Sequence, residues 1–203
     1  MRPVIVILAG GRATRMGGGD KPLLPFAGTT LLARMIERLE GQGAAIAINA
    51  NGDPARYAQF GLPVVADSVP GWPGPLAGVL AGMEWADAEH AQADDIVSVP
   101  GDTPFLPRDL VARLIEGRGG AQIVTAQSAS RRHPVAALWP LRLQGALRKA
   151  ITRDGARRVE QWQALHRVAS VEFSGDSVDP FFNVNYPEDL EMAERLARAH
   201  PEV

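Results

Sequence analysis

No cysteine occurs among the 203 residues, which removes disulfides, thiolate metal sites and cysteine nucleophiles together. Histidine is scarce, at four residues, and none stands in a metal-ligand spacing or in a Ser-His-Asp arrangement. Catalysis, if any, must use oxygen and nitrogen groups. Long apolar runs are also missing. The N-terminal run Val4 to Leu8 is broken by Gly10, Gly11 and Arg12 before it could form a signal-peptide core, and it is far too short for a bilayer. A cytoplasmic protein without a membrane partner is expected. No charge of one sign dominates: the formal net charge is -2, where a dedicated nucleic-acid binder would show a basic excess. Any anion must be captured locally. Repeats, linkers and low-complexity tracts are absent, and 46% apolar with 22% charged residues is an ordinary globular composition. The length favours a single domain spanning 1–203.

What is present is an alternation of strands and helices. Val4 to Leu8 is β-branched with no polar alternation, the pattern of a strand covered on both faces. Leu31, Leu32, Met35, Ile36 and Leu39 then recur at helical spacing, with Thr29 or Thr30 as cap and Gly41 as stop. Residues 44–49 form a second strand, a polar helical turn falls near Asp53 to Phe60, and 63–67 form a third strand. Leu76, Val79, Leu80 and Met83 mark another helix, residues 94–102 a fourth strand, and Pro107 opens a helix that Gly117 ends. Strands over 121–127, 134–140 and 168–173, two amphipathic stretches between Arg142 and Leu165, and a terminal helix from Pro187 complete the chain. This predicts an α/β fold, a doubly wound and mostly parallel sheet with helices on both faces. In such sheets ligands bind beyond the carboxyl ends of the strands where strand order reverses. With the order 3-2-1-4, the first and fourth strands flank that crevice, and Asn49, Asp67 and Asp102 end neighbouring strands. Asparagine and aspartate are ordinary turn formers, so Asn49 alone carries little. Asp102 is more pointed, because Gly101 and Thr103-Pro104 would hold its carboxylate outward.

Residues 8–21 read LAGGRATRMGGGDK. A backbone without Cβ atoms lets N–H groups approach a phosphate closely. A nucleoside triphosphate carries about four negative charges, however, and an exposed helix terminus contributes only roughly 0.3–1 kcal/mol per anion. Arg12, Arg15 and Lys21 are the supplements at hand, with a divalent cation as another. Two familiar phosphate loops fail on the letters. Lys21 follows Asp20 and precedes Pro22, which excludes a Walker loop, and Arg12 stands where G-x-G-x-x-G needs its second glycine.

The form that fits is L-A-G-G-x-x-x-R-M-G-G-x-D-K, from Leu8 to Lys21. It resembles nucleotidyltransferases with a Rossmann-like domain of the nucleotide-diphospho-sugar-transferase type, and in its double Gly10-Gly11 and in Gly18 to Lys21 it resembles the molybdenum cofactor guanylyltransferases. Further ordered matches are NAN at 49–51, Asp67, PGPLAG at 73–78, PGDTPFLP at 100–107, RRHP at 131–134 and NVN at 183–185. The resemblance implies a GTP-binding half, 1–115, and an acceptor-binding half, 116–203. It implies that Leu8, Ala9, Gly10, Gly11, Gly18 and Lys21 form the nucleotide loop, with Lys21 and Arg15 on the phosphates. Asn49 and Asp67 match guanosine-binding positions, Gly74 and Gly78 lie in a matching segment, and Asp102 matches a ligand of Mg2+. Asn183 and Asn185 match a segment facing the pterin and the reaction centre, and Arg131, His133 and Pro134 a loop on the pterin side. Two departures stand out: Gly101 replaces a bulkier residue, and Tyr186 replaces a threonine that would cap the last helix, so a weakened cap is expected.

The implied partners are GTP and molybdopterin, or its metal-loaded form, with transient contacts to other proteins of molybdenum cofactor biosynthesis and to acceptor apoenzymes. The implied reaction passes GMP from GTP to the molybdopterin phosphate and releases pyrophosphate. An already ionised phosphate nucleophile leaves alignment and charge neutralisation as the enzyme's tasks. Two alternatives stay open: a cytidylyltransferase acting on molybdopterin or on a sugar or alditol phosphate, whose loops tend to read L-A-A-G, and a nucleotide-binding module without chemistry.

Overall fold

The computed structural model describes residues 2–10, 20–71, 74–175 and 177–201. Its centre is β1, Val4–Leu8, whose residues Val4 to Ile7 are fully buried. Alternate side chains leave a strand on opposite faces, and here both faces are covered. Ile5 and Ile7 pack with Leu32, Met35 and Leu39 of α1, Leu31–Leu39, and with Leu110, Val111 and Leu114 of α3, Leu110–Glu116. Val4 and Val6 pack with Leu76, Val79, Leu80 and Met83 of α2, Pro75–Glu89, with Leu147 and Ile151 of α4, Gln144–Thr152, and with Trp162 of α5, Val159–Gln163. An uninterrupted apolar strand is therefore what this position requires.

β1 pairs in parallel with β4, Ile46–Asn49, and with β6, Asp95–Pro100, and β4 pairs in parallel with β5, Val64–Val65. The 3-2-1-4 order expected from sequence is the order observed. Beyond β6 the sheet changes character. β7, Ile123–Ser128, and β8, Arg131–Pro140, form a hairpin in which β8 lies antiparallel between β6 and β7, and β9, Val168–Glu172, runs parallel to β7 at the edge. Seven strands result, in the order β5-β4-β1-β6-β8-β7-β9.

Several elements differ from the sequence reading. β8 starts at Arg131 rather than 134, because Ser128 and Arg131 pair across a two-residue turn in which Ala129 and Ser130 both have positive φ, 45° and 65°. A small hairpin, β2 Pro25–Phe26 with β3 Thr29–Thr30, was not foreseen. Thr30 caps α1, accepting from the Ala33 N–H at 3.1 Å. At α6, Pro187–Ala199, the cap that Tyr186 was expected to weaken is supplied from inside the helix: Asp189 accepts from the N–H groups of Asn185 and Tyr186 at 2.8 and 2.9 Å. A third apolar cluster joins α6, through Ala193, to Phe26, Phe105, Val178 and Val184. It seats the 178–184 segment over the loop that follows β6.

Candidate active site

Three strands deliver the cleft. The Leu8 carbonyl accepts from Gly101 N–H at 2.9 Å, and Ala9 N–H donates to the Asn49 carbonyl at 2.8 Å, so the exits of β1, β4 and β6 stay in register past the sheet. A Cβ at Gly101 would lie 2.7 Å from the Leu8 oxygen and 3.0 Å from the Ala9 Cα. This close backbone approach explains why glycine stands there in this chain. Between the strands opens a cavity of 380 Å³ lined by Leu8, Ala9, Gly10, Lys21, Pro22, Asn49, Asp67, Gly74, Pro75, Pro100, Gly101, Asp102, Val135 and Asn185.

At one end Lys21 Nζ donates to Asp102 Oδ2 at 2.6 Å and to Asn185 Oδ1 at 2.8 Å. These three residues are distant in sequence, and the contacts have separate causes. Lys21 opens a 3-10 turn, Lys21–Leu23, just after the glycine-rich sequence. Asp102 follows β6. Asn185 arrives because Val184, fully buried, donates its N–H to the Asp102 carbonyl at 3.0 Å. The Lys21 and Asp102 side chains keep only 12% and 18% of their exposure, so their attraction is less screened than that of a surface pair.

The second carboxylate oxygen of Asp102, Oδ1, is buried without a hydrogen-bond partner. Such an atom is costly unless something pairs with it. A hard divalent cation fits: magnesium binds through one or two carboxylates plus substrate phosphates and water, and Asp102 offers one carboxylate oxygen at the cleft. Among the described residues no group of three or more acidic or histidine side chains could cage a metal alone. That is the donor set of a cation shared with a phosphate.

At the other end Asp67 is clamped. Asn49 Nδ2 donates to its Oδ1 at 2.9 Å and to the Val65 carbonyl at 3.0 Å. Asn51 Nδ2 donates to Oδ2 at 2.9 Å, while Asn51 Oδ1 accepts from Asp67 N–H at 2.9 Å. Gly78 does not line the cavity; it makes room for Asn49, since a Cβ there would lie 2.3 Å from Asn49 Oδ1. Asn183 is likewise not among the lining residues. Gly11, Arg12, Arg15 and Gly18 lie outside the described residues.

Sequence reasoning missed part of the wall. Between Thr125/Ala137 and Ala126/His133 the hairpin register jumps, and the bulged stretch of β8 brings Val135 into the cleft. Its carbonyls find partners across the fold: Val135 O accepts from Ser98 Oγ at 2.5 Å and Pro134 O from Gln163 Nε2 at 2.8 Å. Nothing local in the sequence signals these contacts. His133 lies below the hairpin tip, stacked on Phe181 with ring centroids 4.5 Å apart. Ser128 Oγ donates to Asp179 Oδ1 at 2.7 Å, so its lone pair accepts from His133 Nε2, also at 2.7 Å. The serine lies between acid and imidazole and is buried, which is not a nucleophile triad. Burial lowers the His133 pKa, opposed by Asp179, with Arg131 lowering it further and Glu172 raising it.

A mostly parallel sheet with a cation and a part-satisfied carboxylate at one end of its switch-point cleft, and an amide-held acid at the other, defines a nucleotidyltransferase of Rossmann-like α/β type. Comparison with known proteins narrows this. Residues 5–168 match the family model described as the MobA-like NTP transferase domain, and the chain belongs to that family. It is 56% identical over 194 residues to a molybdenum cofactor guanylyltransferase of Rhodopseudomonas palustris (strain BisB5), covering 95% of this chain and 92% of that protein. In fold it is similar to the molybdopterin-guanine dinucleotide biosynthesis protein A of Archaeoglobus fulgidus, with a TM-score of 0.75 at 20% identity, over 97% of this chain and 99% of that one. It is also similar to the manganese complex of Rv0371C from Mycobacterium tuberculosis, with a TM-score of 0.69 at 19% identity, over 96% and 99% of the two chains.

Proposed function

We propose that the protein is a molybdenum cofactor guanylyltransferase, joining GMP from GTP to the terminal phosphate of molybdopterin. The observation that carries this reading is the Lys21, Asp102 and Asn185 cluster at the phosphate end of a cleft whose other end holds Asp67, supported by the close relatives of that name. In the reaction an oxygen of the molybdopterin phosphate bonds to the α-phosphorus of GTP, the bond from that phosphorus to the β-bridging oxygen breaks, and pyrophosphate departs with the bonding pair. No proton need be removed from the nucleophile and no covalent enzyme intermediate is required.

Residues 1–115 hold the nucleotide and 116–203 the acceptor, within one domain. Asp67, fixed by Asn49 and Asn51, presents carboxylate oxygens suited to the N–H edge of guanine; cytosine lacks the paired donors of that edge. Leu8 to Gly10 offer backbone along the phosphates. The Lys21 ammonium neutralises charge as two polyanions meet, and with no bond-making of its own its contribution is electrostatic and geometric. Asn185 holds Lys21 from the acceptor side. Asp102 Oδ1 would hold a divalent ion, for which we take Mg2+; when bound it supplies Lewis-acid neutralisation of the phosphate oxygens. Arg15, Gly11 and Gly18 complete the phosphate loop, and Asn183, Arg131 and His133 serve the acceptor side. A cytoplasmic setting is part of the same proposal. Among the described residues no helix is long and apolar enough to cross a membrane.

The test is incubation with molybdopterin, Mg2+ and, in separate reactions, GTP, CTP, ATP and UTP. The expected outcome is the guanine dinucleotide by mass, with pyrophosphate released in equal amount. A cytosine dinucleotide in its place, or bound GTP with no pyrophosphate, would overturn the reading in favour of a cytidylyltransferase or a nucleotide-binding module.

A further inference from the structure

We propose that Arg56 is a positioning residue that couples the base end of the cleft to its phosphate end, so that reading the base and placing Lys21 are linked events. The inference rests on the nucleotide-binding reading above. Arg56 belongs to the 3-10 helix Pro54–Phe60, which follows the exit of β4, and it is absent from the cavity lining. Its guanidinium reaches two separate segments. Nη1 donates to both carboxylate oxygens of Asp20, at 2.5 and 2.6 Å, and Nη2 donates to the Asn51 carbonyl at 2.6 Å. Nε donates to the Asp53 carbonyl at 3.0 Å.

The two far partners matter for what they hold. Asp20 immediately precedes Lys21, the phosphate-end cation. Asn51 exchanges two hydrogen bonds with Asp67, the base-end acid. One planar fork thus ties the backbone entering the lysine to the residue that clamps the acid. The niche is shaped for it: Gly52 has φ +89°, and a Cβ there would stand 3.2 Å from Arg56 Nη2, so both backbone and space oppose a side chain at that position.

A lone surface ion pair contributes little to stability, and this one is 36% and 22% exposed on its two sides. Geometry is what it can supply. A rigid array of donors satisfied from three places fixes relative position in a way that the point charge of lysine does not.

Full-length wild type, Arg56→Ala and Arg56→Lys, each titrated calorimetrically with GTP, ATP, CTP and UTP without acceptor, test the proposal. In Arg56→Ala the best-bound nucleotide is expected to weaken about tenfold, and its margin over the other three to narrow by a similar factor, as for a lost charge-assisted contact. Arg56→Lys should recover part of the affinity and none of the margin. In turnover the nucleotide KM should rise more than kcat falls, with little change in melting temperature. An unchanged margin overturns the coupling, whether or not affinity falls, because Arg56 would then serve only one end or only the fold. Should the wild type favour a base other than guanine, the substrate reading fails, while the margin for that preferred base still decides the role of Arg56.

Discussion

The two halves of the molecule build their shares of the cleft by different means. In the first half, site groups hang from the exits of parallel strands: Asn49 ends β4, Leu8 ends β1, and Asp67 and Asp102 follow β5 and β6 within two residues. Parallel strands with short register-locked exits leave few choices for where such side chains go. In the second half the contributing groups ride on a bulged antiparallel hairpin and on the irregular 177–186 stretch, and each is put in place by contacts from distant elements. Val135 depends on Ser98 and Gln163, and Asn185 on the loop at Asp102. Changes in the first half should therefore strike chemistry with little effect on stability, whereas changes in the second should reach the site through the fold.

The largest expected effect lies at Asp102. Asp102→Ala removes the carboxylate that both holds Lys21 and keeps an oxygen free for a cation. Loss of one electrostatic stabiliser typically lowers turnover by about 10² to 10³. The measurement is dinucleotide formation under saturating GTP, beside far-ultraviolet dichroism to establish that the fold persists. A variant within a few-fold of wild type would remove Asp102 from the phosphate chemistry, and with it the contrast drawn above.

An intermediate effect is expected in the second half. Gln163 is buried, and its amide answers the Pro134 carbonyl on the bulge. Gln163→Ala leaves that carbonyl unpaired and should cost about 1–3 kcal/mol in urea unfolding. Because the same bulge carries Val135 into the cleft, KM for molybdopterin should rise severalfold while KM for GTP stays near wild type. Equal rises in both constants would mean that the two halves are not as separate as the strand topology suggests.

The same contrast accounts for what could be read from the letters. The strand order around β1, the crevice position, and Asn49, Asp67 and Asp102 were legible because apolar runs, turn residues and parallel topology are local or nearly local signals. Gly101 and Gly78 were visible as glycines, but their reasons, the Leu8 carbonyl and the Asn49 amide, lie across the sheet. Arg56 carried no signal at all, since an arginine in a short polar helix is usually a solvated charge. The early start of β8 was hidden because Ala129 and Ser130 take positive φ without the Asn or Gly that announces such a turn. At α6 the cap resides not in Tyr186 but in Asp189 three residues on, a signal that depends on where the helix begins.

The smallest effect, and the one that most sharpens the comparison, concerns His133. Burial lowers its pKa in the folded protein, so the fold favours the neutral ring that donates to Ser128 and stacks on Phe181. The unfolded chain, with an imidazole pKa of about 6.5, takes up its proton first as pH falls. The contribution is thus complete above that value, declines as pH drops below it, and has gone once the folded ring is protonated as well. His133→Gln keeps an N–H donor for Ser128 but removes the titration. Between pH 7.5 and 5 the melting temperature of the wild type should fall further than that of the variant. His166, whose pKa burial also lowers, is present in both proteins and cancels in the difference. Phe181 leads directly into the segment that carries Asn185 to Lys21. Acid should therefore also raise the KM for molybdopterin in the wild type more than in the variant. Coincident slopes would make His133 a bystander, and the second half would owe its placement to apolar packing alone.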